Sequence, residues 1–260
     1  MKYYPHPEGW NANANDNKAK TAICISGLGR SIDYTFENIK TKLIDTFDDP
    51  DVFVYIAKNK ASDRAVELFG TLSQTTQINL VEEVDLDLSR LRFRPGWLET
   101  HRHKDGSCPT PQGTRRMYNA RAVLSDMVTE AEKTKNKKYD IVVNSRDDVH
   151  YHQAVGPLVL GLDMTKMWLP YFHHWLDGYC DRFAVSNKDY MDKYLCMERY
   201  FDQYCDEGHV IHSEQTHKFH LDRVIGRENV KTFFIELSRV RADGEVTAEG
   251  FPNPPGVRWQ

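Results

Sequence analysis

"YDIVVNSRDDVHYHQ", residues 139–153, is the stretch on which the fold and the chemistry of this chain turn. Tyr139, Ile141 and Val142 open a buried strand, and then Ser145, Arg146, Asp147, Asp148 and His150 arrive almost together. Carboxylates are mostly exposed, so an adjacent Asp pair is most often a solvated loop. At the end of a buried strand the same residues suit a hard divalent cation and the phosphate oxygens it would bridge. The elements on either side decide between the two.

Upstream, strands and helices alternate from Thr21. "TAICISGLG" (21–29) is a buried strand running into a Gly-rich turn, and Ser31 is placed to cap a helix in which Ile32, Phe36, Ile39, Leu43 and Phe47 keep helical spacing. "DVFVYIA" (51–57) is a second strand, "SDRAVELFGTL" (62–72) a short helix and "INLVEEV" (78–84) a third strand. Residues 89–113 break the rhythm with three prolines, three glycines and many charges, a length of irregular chain that is usually functional. Thr114 is placed to cap a long helix with Met117, Ala120, Leu124, Met127 and Ala131 as its inward stripe.

Downstream come "MWLPYF" (167–172) as a strand, "HHWLDGYCDRFAVS" (173–186) as strand or loop, and helices over 187–205 and 212–225. Two late pieces, "VKTFFIELSRVRADG" (230–244) and a Pro-rich tail, close the chain. Repeated strand–helix units predict an α/β protein with a mostly parallel central sheet flanked by helices. With no repeat or linker in view, the expected layout is a flexible, Asn-rich arm over 1–20, one domain over 21–250 and a tail over 251–260.

Composition narrows the function classes. The net charge of −4 offers no basic field for nucleic acid or an anionic membrane. Five cysteines form no CxxC pair, which suits reduced thiols in a cytoplasmic compartment. No apolar run reaches the length of a membrane span, and the first 20 residues lack a signal-peptide core. Nothing in the sequence sets the oligomeric state.

Most other constellations are weak. "SGLGRS" (26–31) lacks the GKS/T ending of a P-loop and the third glycine of GxGxxG, so a plain tight turn and a phosphate contact weigh equally. His209, His212, Glu214, His217 and His220, like the "HRH" before Cys108, lack zinc-site spacing; surface or capping histidines are expected. "HHWLDG" (173–178) is one residue short of HHxxxDG. Tyr190, Met191, Tyr194, Met197 and Phe201 read as core packing.

The order of a Gly-rich first turn, strand–helix units, a long helix and a strand ending in acids resembles the GT-A-fold nucleotide-sugar glycosyltransferases. "YDIVVNSRDDV" looks like the "YD-apolar-apolar-x-x-R-x-D" variant of several small families, and "DGYCDRFAVSNKDYMDKY" like their "D-(R/Q)-F-apolar-x-(G/S)-x-x-x-M-x-x-Y" segment. "SEQTHKFHL" and "SRVRADG" resemble their closing elements. The likeness runs from about Thr21 to Gly244 and is nearest to the small glycosyltransferases that giant algal viruses (chloroviruses) encode, a xylosyltransferase among them.

The resemblance implies a GT-A-type (Rossmann-like) domain, a UDP-sugar donor, a glycan acceptor, a divalent metal (Mn²⁺ or Mg²⁺) and, for a viral protein, the host cytoplasm. It puts Ser26, Gly27, Gly29 and Arg30 along the nucleotide, with Arg115, Arg116, Asn119, Arg146 and Asp147 near the diphosphate or sugar. Arg146 occupies the place of the first acid of a DxD, leaving Asp148 as the metal ligand with Asp147 or His150 assisting. Residues 92–113 and 172–182 would build the acceptor side. An inverting reaction needs a carboxylate base, for which Asp181, Asp177 and Glu214 stand in that order. A metal-dependent phosphohydrolase and a catalytically silent sugar- or nucleotide-binding domain are the rival functions.

Overall fold

The computed structural model describes residues 10–12, 14–15, 18–82, 89, 92–93, 111–172 and 177–247. In chain order the elements are β1 (Thr21–Gly27), α1 (Ile32–Lys42), β2 (Asp51–Ala57), α2 (Ser62–Gly70), β3 (Thr75–Val81), β4 (Arg92–Phe93) and α3 (Pro111–Thr134). There follow β5 (Ile141–Arg146), β6 (Val149–Tyr151), α4 (Gly156–Leu160), β7 (Met167–Pro170), β8 (Phe183–Ser186), α5 (Lys188–Leu195) and α6 (Phe201–Asp206). The last are β9 (Val210–Ile211), α7 (Ser213–Leu221), β10 (Val230–Phe233), β11 (Leu237–Val240) and β12 (Val246–Thr247).

Seven strands form the central sheet in the order β10-β7-β8-β5-β1-β2-β3. All neighbours are parallel except those of β8, which runs antiparallel to both β5 and β7. Side chains alternate across a strand, and the two faces have separate cores. Ile23, Ile25, Val52, Val54, Ile56, Ile141 and Val143 face α1 and α2 through Ile32, Phe36, Ile39, Ala65 and Phe69. Ala22, Cys24, Phe53, Tyr55 and Val142 face α3 and α5 through Leu124, Met127, Val128, Met191 and Tyr194. Each such aliphatic or aromatic side chain stabilises the fold by roughly 1.5–3 kcal/mol on burial. Among the described residues, no helix is long and apolar enough to cross a membrane.

Two small sheets complete the chain. β6 pairs with β11, itself paired with β12, and β4 pairs with β9. Three expectations are corrected. Ser31 makes no cap bond; its hydroxyl donates instead to the Val240 carbonyl at 2.8 Å, tying α1 to β11. Thr114 lies inside α3, which already starts at Pro111, a residue suited to the first turn because its missing N–H would be unpaired there anyway. Where composition predicts a flexible arm, Trp10, Asn11 and Asn15 are docked on α4 and the turn after it. Trp10 Nε1 donates to Leu158 O (3.2 Å), Asn11 N to Gly161 O (2.9 Å) and Asn15 Nδ2 to Leu160 O and Leu162 O (2.9 and 2.7 Å). A β-carbon at Gly161 would fall 1.9 Å from the Trp10 ring nitrogen.

Met191, Tyr194, Met197 and Phe201 are core, as their spacing predicts. Four cysteines, Cys24, Cys180, Cys196 and Cys205, are buried thiols outside any disulfide, and Cys108 lies outside the described residues. So do residues 94–110 and 173–176, most of the expected acceptor loop and the "HHWL" of the second.

Candidate functional site

β1 and β5 lie side by side with Ser26 opposite Arg146, so the Gly-rich turn and the acidic turn leave the sheet at one edge. Asp147 knits them together. Its N–H donates to Ser26 O at 3.1 Å, its carbonyl accepts from Thr35 Oγ1 at 2.7 Å, and its carboxylate accepts from Gly29 N. Gly29 reaches it from a φ of +70°, which an L side chain rarely adopts. A β-carbon at Gly27 would stand 1.7 Å from Asp147 Oδ1, so the strand end is shaped around this carboxylate. Burial first, then the charge of Asp148, pushes Asp147 up to about 7 against the pull of Gly29, Arg146 and Arg30. Ser26 and Gly27 are thus at the expected edge, but the Gly29 amide serves an internal acid.

Asp148 is held differently. Arg146 grips it with both prongs, Nε to Oδ1 at 2.8 Å and Nη2 to Oδ2 at 2.6 Å. Arg239 adds Nε to Oδ2 at 2.9 Å. β11 delivers that arginine by pairing Arg239 with Val149, and Val240 N donates to the Asp148 carbonyl at 2.8 Å. Burial alone would raise the Asp148 carboxyl, but the two guanidiniums outweigh it and hold it well below the usual range.

The expected metal ligands therefore do not fit a divalent ion. Both oxygens of Asp148 are taken by arginines, and Asp147 is turned to Gly29. His150 stands on β6 with Nε2 3.3 Å from Asn38 Nδ2 and its ring against His152. Among the described residues no group of three His, Cys, Asp or Glu converges as a metal site would require.

A second acidic centre includes Asp181, which is also in the field of Arg146. The Asp181 carboxylate is buried just before β8, and Glu214 opens α7 with its backbone packed on Gly178. Burial would raise Asp181, yet Arg146, Arg121, His217 and Arg182 together draw it down. Glu214 has the opposite balance: burial first, then the charge of Asp181, pushes it up to about 7. Its carboxylate is touched by Ser213 Oγ and lies 3.3 Å from His212 Nδ1. Arg121, wholly buried on α3, donates to the Asp181 carbonyl and meets His217 Nε2 at 2.9 Å. Arg121 Nε and His217 Nδ1 make no hydrogen bond.

The remaining residues divide. α3 leads into β5, so its first turns stand over the edge where β1 and β5 end. There Arg115 pairs with Glu198 (3.0 Å) and Asp202 (3.1 Å), while Arg116 beside it and Asn119 one turn on are half-buried. Arg30 is exposed beside Asp147. Asp177 does not join the centre. Its side chain is 91% exposed, paired with Lys218, in an open groove with His209, Phe219 and Asp222. Of the histidines expected at the surface or as caps, His212 does stand at the N-cap position of α7, without a side-chain cap bond, His209 is half-buried, and the "HRH" lies outside the described residues. His212, His217 and His220 are buried rather than exposed, and His220 bridges Tyr204 OH (2.6 Å) and Lys193 O (2.7 Å). Sequence reasoning missed Arg121 and Arg239; Arg239 lay in "SRVRADG", quoted for its resemblance and not for its charge.

No protein-family model matches the sequence, and no curated protein does. Among solved structures the chain is similar to core-mannan synthase A from Aspergillus fumigatus in its Mn/GDP form. That match has 10% identity over 98% of this chain and 86% of the other, at a TM-score of 0.53. It is also similar to an active-site mutant of LgtC, at 11% identity over 81% and 72% of the two chains and a TM-score of 0.50. Likeness at this identity is likeness of fold, and it matches the single GT-A-type α/β domain with its mostly parallel sheet.

Proposed function

We propose that this chain is a glycosyltransferase moving a sugar from a nucleoside diphosphate sugar, UDP-linked, to a glycan acceptor with inversion. One observation carries this reading: a cationic strand end, Arg146, stands in the field of both a saturated acidic turn and Asp181, whose neighbour Glu214 is pushed up to about 7. Such an edge separates the two tasks of the reaction. The diphosphate leaving group needs positive charge where its own negative charge develops. The acceptor hydroxyl needs a base on the opposite face, with a pKa near the working pH.

Glu214 meets that second need better than the other candidates. Asp181 is drawn down by its arginines and is therefore a weak proton acceptor, while Asp177 is exposed and outside the centre. Asp181, ionised beside Glu214, raises the basicity of Glu214 and so acts as its positioning partner. Arg116 and Asn119, on the first turns of α3, are the remaining candidates for the donor sugar. The sequence resemblance favours xylose as that sugar.

The test is turnover of a panel of UDP- and GDP-sugars, beginning with UDP-xylose, read as free sugar and free nucleoside diphosphate. The expected result is slow sugar release from one UDP-sugar without release of inorganic phosphate. Phosphate release would instead identify a phosphohydrolase, and binding of a donor without turnover would identify a silent binding domain.

A further inference from the structure

At the end of β5 the charges are layered. The Asp148 side chain is innermost at 13% exposed, and the two arginines on it are more open, Arg146 at 23% and Arg239 at 27%. A ligand arriving from solvent meets guanidinium before it meets carboxylate. Each guanidinium carries five N–H donors, and Arg146 spends Nε and Nη2 on Asp148. Arg241 and Arg30 add positive charge beside Arg239 and Asp147 respectively. Guanidinium forks match phosphate oxygens in pairs, which a single point charge does not.

We infer that Arg146 and Arg239 bind the donor diphosphate directly, in the place where a carboxylate-held divalent ion would otherwise sit, with Asp148 as the internal anion that aligns both forks. The inference rests on the transferase reading and extends it to the identity of the cation. Arg146 stands where the first acid of a DxD would be, so one change both deletes a metal ligand and supplies a fixed positive charge. Arg239 comes from β11 and is locked in register by the Val240–Asp148 backbone bond, so the pair is preformed before any ligand arrives.

Calorimetry of the full chain with inorganic pyrophosphate, UDP and GDP, in EDTA and then in Mn²⁺, tests this. The expected result is binding in EDTA, changed by less than about threefold in Kd on adding metal. Arg239→Met should weaken pyrophosphate by about tenfold or more, the value of one charge-assisted hydrogen bond, with Arg239→Lys in between. Thermal melts of the unliganded variants separate lost binding from lost folding. Asp148→Asn separates the two ideas by its metal dependence: with arginines as the site it should still bind pyrophosphate in EDTA, weakened by less than about tenfold through lost alignment of the forks, and with a metal as the site it should bind in neither EDTA nor Mn²⁺. Binding that appears only with Mn²⁺ and vanishes in Asp148→Asn overturns the inference and leaves the transferase standing. No binding of any of the three ligands in either condition overturns both.

Discussion

Arg146 feels two groups of acids, Asp147 with Asp148 in its own turn, and Asp181, whose charge in turn acts on Glu214. In the first pair each acid has its own fixed partners, a glycine amide for Asp147 and two guanidiniums for Asp148. In the second pair Asp181 draws on the surrounding cations, and Glu214 is left with a hydroxyl, a histidine and a repelling neighbour. An acid that has been given donors by strands and turns is a structural part. Asp147 and Glu214 are alike in titration, both pushed up to about 7 by burial and a like charge, and differ in what holds them: Asp147 is fixed on the Gly29 amide inside the turn, while Glu214 has a hydroxyl and a histidine beside it.

The largest effect that would sharpen this contrast is in turnover. Glu214→Gln should lower kcat by about 10²- to 10⁴-fold while donor affinity stays within about twofold, because a base acts in the transition state. A base works in its ionised form, so kcat/KM should climb as pH rises through about 7, the value for Glu214, and this limb should vanish in the variant. Wild-type turnover in Glu214→Gln would break the comparison and return Asp181 to first place.

Next in size is Gly27→Ala. Its methyl group would overlap the Asp147 carboxylate, and relieving the clash should cost about 1–3 kcal/mol, seen as a lower urea midpoint. Donor binding should fall with it, since the two turns separate together.

Asp147→Asn probes the same acid by pH. Its folded pKa of about 7 lies above that of an unfolded carboxyl, so the folded protein holds this proton more tightly. The stability so gained is complete below about pH 4 and is lost as pH rises to about 7. Asparagine still offers an oxygen to Gly29 and never ionises. The variant should therefore be more stable than wild type by on the order of 1 kcal/mol at pH 8, with the gap closing toward pH 4. Asp148, whose pKa is lowered, has the opposite sign: its contribution is present above about pH 4 and is lost on acidification.

The smallest effect is expected at Asp177. It sits at a φ of 60° and pairs with Lys218 in solvent, so Asp177→Gly should relieve the backbone and leave turnover and melting temperature unchanged or slightly raised. A large loss of turnover there would move the acceptor side out to the exposed groove.

The layered sheet could be foreseen because it rests on local signals. β-Branched and aromatic residues set β2 to the residue, and the helical stripe of Met117 to Ala131 marked α3. What could not be foreseen depends on distant partners. Arg239 meets Asp148 across 91 residues through the pairing of β11 with β6, and no spacing in the sequence marks that register. Ser31 had a local role available as a cap and took a long-range one with Val240, 209 residues away. Glu214 stood third among the bases because a helix start is a common place for a glutamate. Only its proximity to Asp181 and its burial set it apart.

The docking of Trp10, Asn11 and Asn15 on the carbonyls of residues 158–162 has a consequence for the order of events during synthesis. This segment leaves the ribosome some 145 residues before its seat exists. At roughly 5–20 residues per second it waits several seconds or more, while β1, β2 and β5 can already assemble. A segment made early is thus fastened only after β1, β2, β3 and β5 have been made and before β7, β8 and β10 exist. Pulling on the N-terminus should release this segment before any strand yields, and a growing chain arrested ahead of residue 162 should carry its N-terminal tryptophan in water.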